Sequence, residues 1–229
     1  MKLFTSYILE AISYFLYFIV LLIWSKADKR WIIKVLVGFY FISFILISKT
    51  FLYKFYKSID RAPNIDLYSL LCVLSGFVLG AYFHKILKGK SQKFIVFLFC
   101  AINGFYYLLN NVINEGLAVF DSLAFVTLSF SITVLSFMYI YQLMLNVDET
   151  PLSMRFDFWF TISQMVYFIS AFAIFLTYGY LTKELFDSGQ TRSDPLMYLW
   201  GIHNVLLFLS SLLTAGGVIW IFYRRRSPS

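Results

Sequence analysis

Seven times along this chain an apolar run of roughly 20 residues recurs, the length an α-helix needs to cross the hydrocarbon core of a bilayer. The runs cover about Thr5–Trp24, Trp31–Leu52, Leu67–Leu87, Lys93–Val112, Leu117–Leu145, Phe156–Leu181 and Leu196–Tyr223. They predict an all-α membrane protein, a single bundle of seven transmembrane helices. Composition agrees: 60% of residues are apolar and 14% charged, against about 45–50% and 25% in ordinary globular proteins. A chain of 26.8 kDa cannot hide that much apolar surface from water. The fifth run is the longest and is expected to tilt or to extend past the bilayer. The first run lacks a basic leader beyond Lys2 and a small-x-small cleavage site, so it is expected to be retained as a helix.

The charges between the runs set an expected orientation. Lys26, Lys29, Arg30 and Lys34, then Lys85, Lys88, Lys90 and Lys93, then Arg155 and Arg224 to Arg226 fall on one side; they are twelve of the 19 Lys and Arg residues. Cytoplasmic loops collect such residues, which puts the N-terminus outside and the C-terminus in the cytoplasm. The net charge of +7 is accounted for in this way, and no nucleic-acid partner is expected. No Asn-x-Ser/Thr acceptor occurs, and the expected location is a bacterial inner membrane. Cys72 and Cys100 lie within apolar runs and read as packing residues rather than a disulfide or zinc framework.

Ionisable and amide groups at membrane depth are costly, and each is a candidate for function. With the N-terminus outside, Glu10 and Tyr14 of helix 1, Asn110 of helix 4, Asp121 at the start of helix 5, and His203 and Asn204 of helix 7 fall at a similar outer depth, with Asn111 nearby and Asn103 deeper. These groups either tie the helices together or line a cavity for a ligand; Glu10, Tyr14, Asn110, Asp121, His203 and Asn204 are the candidate ligand site. Ser122, Ser129, Thr133 and Ser136 form a stripe on helix 5, and Gln164, Tyr167, Ala171 and Tyr178 one on helix 6; such stripes read as packing interfaces. Gly76 and Gly80 make a G-x-x-x-G that permits close helix approach.

What is missing narrows the field. Helix 7 has no lysine for a retinal Schiff base, and two histidines at opposite depths cannot build a His-rich metal site. No H-E-x-x-H, Walker loop, G-x-S-x-G, T-V-G-Y-G filter or arginine-rich voltage sensor is present. The expectation is a protein without catalysis, metal or cofactor.

The run Leu67–Leu87 following Asn64, the segment Pro151–Leu181 with Phe158-Trp159 and Tyr167-Phe168, and Leu199-Trp200 followed by His203-Asn204 together resemble a family of small seven-helix membrane proteins associated with Bacteroidota. Genes of that family often sit near sensor histidine kinases, so the resemblance implies a sensory or signalling accessory role. The functional expectation is a receptor-like subunit that takes a small ligand from outside and acts on a cytoplasmic or membrane signalling partner, with membrane lipids around it. A small transporter or channel is the first alternative and a scaffold subunit of a membrane complex the second.

Overall fold

The computed structural model describes residues 3–57, 65–113, 122–145, 150–187 and 194–226. Each apolar run forms one helix: α1 (Leu3–Ala27), α2 (Trp31–Lys57), α3 (Ile65–Ile86), α4 (Lys90–Ile113), α5 (Ser122–Leu145), α6 (Phe156–Asp187) and α7 (Asp194–Arg226), with one 3-10 turn at Leu152–Met154. Among the described residues all seven helices are long and apolar enough to cross a membrane. The longest described helices are not the fifth but α6 and α7, of 32 and 33 residues, while α5 has 24 and residues 117–121 lie outside the described set. At about 1.5 Å per residue, α6 and α7 exceed a hydrocarbon core of about 30 Å and must tilt or emerge from it.

The helices alternate in direction. The ends of α1, α3, α5 and α7 meet the starts of α2 and α6 on one face, as contacts such as Trp24 stacked on Phe156 at 5.0 Å, Arg225 over the Trp24 ring at 5.4 Å and Gln142 against Ile86 require. This is the face that carries the twelve clustered Lys and Arg residues; it is the basic face.

Six helices close a ring, in the order α1, α2, α3, α5, α6, α7 and back to α1, while α4 packs outside it on α3 and α5. The exposure of α4 follows: 11% of its spanning window is buried against 33–50% for the other six. Phe94, Phe97, Phe105 and Leu108 of α4 point outward, toward lipid. Its seat is made by small residues. A Cβ on Gly80 would overlap the Cys100 sulfur, and the Cys100 thiol lies 3.7 Å from the Gly76 carbonyl oxygen. The G-x-x-x-G motif therefore does bring two helices close.

Lipid takes the place of water around this fold, so apolar side chains gain nothing by being inside, and polar ones have nowhere else to go. The interior accordingly collects Ser6, Glu10, Ser13, Gln164, His203, Asn204, Ser210 and Thr214, while Phe, Leu and Ile occupy the outer surface. Hydroxyls on single helices turn back on their own backbone, as Ser13 does to the Leu9 carbonyl at 2.7 Å and Ser136 to Ile132 at 2.8 Å. Ser129 and Ser136 of the helix 5 stripe are buried, and α5 packs on both α3 and α6.

Candidate functional site

A cavity lies inside the ring, near the face opposite the basic one. All six ring helices contribute: Glu10 and Tyr14 from α1, Tyr40 from α2, Tyr68 and Cys72 from α3, Phe125 from α5, Gln164 and Tyr167 from α6, Trp200 and His203 from α7. About 40 Å³ of it is open to the centre of a water molecule, enough for more than one water. Among the described lining residues Glu10 is the one carboxylic acid, and it is 1% exposed. A carboxylate that far from water needs donors, and the Tyr68 hydroxyl supplies one to Glu10 Oε2 at 3.0 Å. Rings complete the enclosure, with Tyr14 and Tyr40 6.1 Å apart and Tyr68 edge-on to Trp200 at 5.1 Å.

His203 and Asn204 form a relay from the cavity wall back to α1. Asn204 Nδ2 donates to the Ser6 carbonyl at 3.1 Å and to Ser6 Oγ at 2.7 Å, and Asn204 Oδ1 lies 2.9 Å from His203 Nδ1. A carbonyl only accepts, so Ser6 orients the Asn204 amide and leaves Oδ1 facing the ring. The His203 Nδ1 must then carry the proton, and in the neutral imidazole Nε2 accepts from the Tyr167 hydroxyl beside it. One backbone carbonyl thus decides a tautomer on a different helix.

Of the six candidate residues, Glu10, Tyr14 and His203 line one cavity, and Asn204 holds His203 from behind. The Asn110 side chain and Asp121 lie outside the described residues, as does Asn111. Asn103 is buried and donates to the Phe99 carbonyl at 2.8 Å and to Ser131 Oγ at 3.4 Å, a bond between α4 and α5. Gln164 and Tyr167, expected to be packing residues, also line the cavity. Gln164 also leads inward: its Nε2 donates to the Tyr17 hydroxyl at 3.0 Å, Tyr17 meets Ser210, and Thr214 donates to Ser163 at 2.6 Å. These bonds join α1, α6 and α7 below the cavity.

Farther in stands Phe160, fully buried and edge-on to Tyr17 at 6.3 Å and to Tyr82 at 4.9 Å, in an aromatic layer. On the far side of this aromatic layer lies a clamp that pattern reading passed over. Arg30, in the α1–α2 link, donates Nη1 and Nη2 to the two oxygens of Asp157 at the start of α6, both at 2.9 Å. It also grips Asp28 through Nε and Nη2, Trp24 Nε1 donates to the same carboxylate at 3.2 Å, and Tyr82 donates to Asp157 at 2.9 Å. Three helices, α1, α3 and α6, and the α1–α2 link are thereby tied at the basic face. The signal available beforehand was the D-x-R of Asp28 and Arg30, which a reading of these loops as a charge bias overlooks.

Burial raises the Asp28 pKa, but the hydrogen bonds and charge of Arg30 and the Trp24 indole outweigh it and hold the carboxyl below its ordinary value. A depressed folded pKa gives stability that is present above the unfolded value, about 3.9, and is lost as pH falls through the folded value. Thermal unfolding in detergent between pH 6 and pH 3 should therefore show an acid-labile component that Asp28→Asn lacks. Parallel acid profiles for the two chains would contradict this.

Comparisons with protein families, with curated proteins and with solved structures return no match.

Proposed function

We propose that this protein is a membrane-embedded, receptor-like sensory subunit whose ligand occupies the Glu10 cavity. The observation that carries the reading is the buried Glu10 carboxyl, which shares a cavity with the rings of Tyr14, Tyr40, Tyr68 and Trp200. A carboxyl group that ionises when a cation binds, together with several aromatic rings, favours a small cation over an anion. The water-sized free volume limits the ligand to something of the order of ammonium or methylammonium unless side chains move. Positive-inside bias supports an N-terminus outside the cell, which opens the cavity toward the exterior and turns the basic face to the cytoplasm. Signalling would then follow from the ligand's preference for one of two arrangements of α1, α6 and α7, the helices that the Tyr17 and Asn204 networks join, and from a partner that reads the basic face. The resemblance to seven-helix proteins encoded near sensor kinases fits this role.

The packing of Phe160 between Tyr17 and Tyr82 favours a receptor over a channel, because it puts a buried aromatic ring between the cavity network and the clamp. A transporter is the second reading, supported by cavities on both sides of that ring. Ammonium and methylammonium chloride should raise the melting temperature of the purified protein relative to sodium chloride, since a ligand that binds only the folded state stabilises it. Glu10→Gln should abolish that rise while keeping the fold. A Glu10→Gln chain that responds like wild type, or a wild type that does not respond at all, would sink the proposal. Uptake of methylammonium into proteoliposomes would move the assignment to the transporter.

A further inference from the structure

Hydrogen bonds behind the wall of the Glu10 cavity decide which of its oxygens can give a proton and which can only receive one. Tyr167 of α6 and His203 of α7 both line the cavity, and the Tyr167 hydroxyl meets His203 Nε2. Asn204 Nδ2 donates to the Ser6 carbonyl at 3.1 Å and to Ser6 Oγ at 2.7 Å, so Asn204 Oδ1 receives the Nδ1 proton of the neutral ring. Nε2 is then bare, and the single proton of Tyr167 goes to it. The phenol oxygen keeps its accepting lone pairs and has no proton left for the cavity. Among the described residues the bond to His203 is the one hydrogen bond that Tyr167 makes, and the residue is 8% exposed.

Tyr68 of α3 reaches the same condition by another route. Its hydroxyl donates to Glu10 Oε2 at 3.0 Å, and a carboxylate has no proton to return, so the direction is fixed whenever Glu10 is ionised. Ser75, farther along α3 and also in the wall, spends its proton on the Leu71 carbonyl at 2.6 Å. Glu10 on α1, Tyr68 on α3 and Tyr167 on α6 thus offer lone pairs to one small space, with about 40 Å³ open to the centre of a water molecule. A ligand that fails to meet one of them leaves a buried acceptor unpaired, which costs binding.

We propose that Tyr167 sets the number of donors the ligand must bring: its oxygen, with Tyr68 and Glu10, takes N–H bonds, so the cavity selects ammonium or a primary ammonium over a secondary one. The inference rests on the reading of this cavity as a cation site and narrows its ligand class. Methylammonium brings three N–H donors and dimethylammonium two, at the same charge. The second methyl group leaves one of the three acceptors unpaired. A carboxylate such as formate brings acceptors alone and is refused. His203 and Asn204 act through Tyr167 and are positioning residues, holding its proton away from the cavity.

The melting temperature of the full-length protein in detergent is titrated with methylammonium chloride, dimethylammonium chloride and sodium formate. Wild type is expected to saturate with methylammonium at about a tenfold lower concentration than with dimethylammonium, and to show no saturable shift with formate. Tyr167→Phe should weaken methylammonium about tenfold and bring the two amines within about threefold of each other, a change of ratio that a merely loosened fold does not produce. Ser136→Ala removes a buried hydroxyl outside the cavity and should leave both amines within about twofold of wild type. A second measurement needs no ligand. His84→Gln, at an exposed position, leaves His203 as the one histidine of the chain, and its nitrogen-15 NMR spectrum at neutral pH should show a proton on Nδ1 and none on Nε2. A proton on Nε2 overturns the relay, as does an equal loss in Tyr167→Phe and Ser136→Ala. If Tyr167→Phe keeps the wild-type preference while Glu10→Gln loses the methylammonium response, the cation site stands and this inference alone falls. Loss in Tyr167→Phe with Glu10→Gln unchanged retires the carboxyl and keeps the tyrosine. A wild type indifferent to both amines overturns both.

Discussion

An Asp157→Ala chain should unfold at a markedly lower temperature than wild type, with a stability loss of about 2–3 kcal/mol. The substitution removes the acceptor of three hydrogen bonds, two from Arg30 and one from Tyr82. Arg30 keeps Asp28, but its link to α6 is gone, and the Tyr82 hydroxyl, fully buried at the end of α3, is left without its acceptor. The side chains of Arg30 and Asp157 are 31% and 20% exposed, so water softens the loss below that of a sealed ion pair. Tyr82→Phe removes one bond and should cost about 1 kcal/mol. Because the two changes share a partner, the double variant should lose less than the sum. Thermal or denaturant unfolding in detergent measures all three. An Asp157→Ala loss under about 0.5 kcal/mol, in the range of exposed pairs, would show that the clamp is ornamental.

The second large effect is expected at adjacent glycines that behave oppositely. A Cβ on Gly217 would overlap the Cβ, Cγ and Cδ2 atoms of Trp159, whereas a Cβ on Gly216 would meet nothing within 4 Å. The overlap falls on the stem of the tryptophan rather than its tip, and Trp159 is further held by its Nε1 bond to the Ser153 carbonyl at 2.9 Å. Neither side can give way without shifting α6 against α7. Gly217→Ala should therefore cost about 1–3 kcal/mol and Gly217→Val more, while Gly216→Ala should be neutral or slightly stabilising, because alanine is the better helix former. Equal melting temperatures for the two alanine variants would contradict the packing.

The number and approximate bounds of the helices were legible because a spanning segment must be both long and apolar, and that requirement leaves a mark any reader can see. Neighbour relations left no such mark. When lipid surrounds the bundle, the outward face of α4 at Phe94 and Phe105 and the inward face of α2 at Ile33 and Leu36 are equally apolar, so periodicity does not say which helix stands outside the ring. The contacts that decide it, Gly80 against Cys100 and Gly217 against Trp159, concern shape rather than polarity. The candidate site divides in the same way. Glu10 and His203 stood out because a carboxylate or imidazole at depth is expensive, and they do line one cavity. Tyr40 and Tyr68 complete it but are two among 17 tyrosines, and Gln164 reads as packing because it shares its stripe with Ala171. The Arg30–Asp157 pair joins positions 127 residues apart, beyond what loop composition reveals.

The closure of the ring between the first and last helices has a consequence for biogenesis. Glu10 enters the membrane with α1, when neither Tyr68 nor the α7 groups beside it have yet been made. The segment must pass on its surrounding Leu, Ile and Phe alone, each worth about −0.3 to −0.6 kcal/mol against about +2.5 or more for an acidic residue at the centre of a helix. Its shelter arrives last, when α7 docks and Asn204 reaches Ser6. A nascent chain halted before α7 would thus hold a half-built chamber with its acid facing the gap, open to quality-control proteases until α7 seals it.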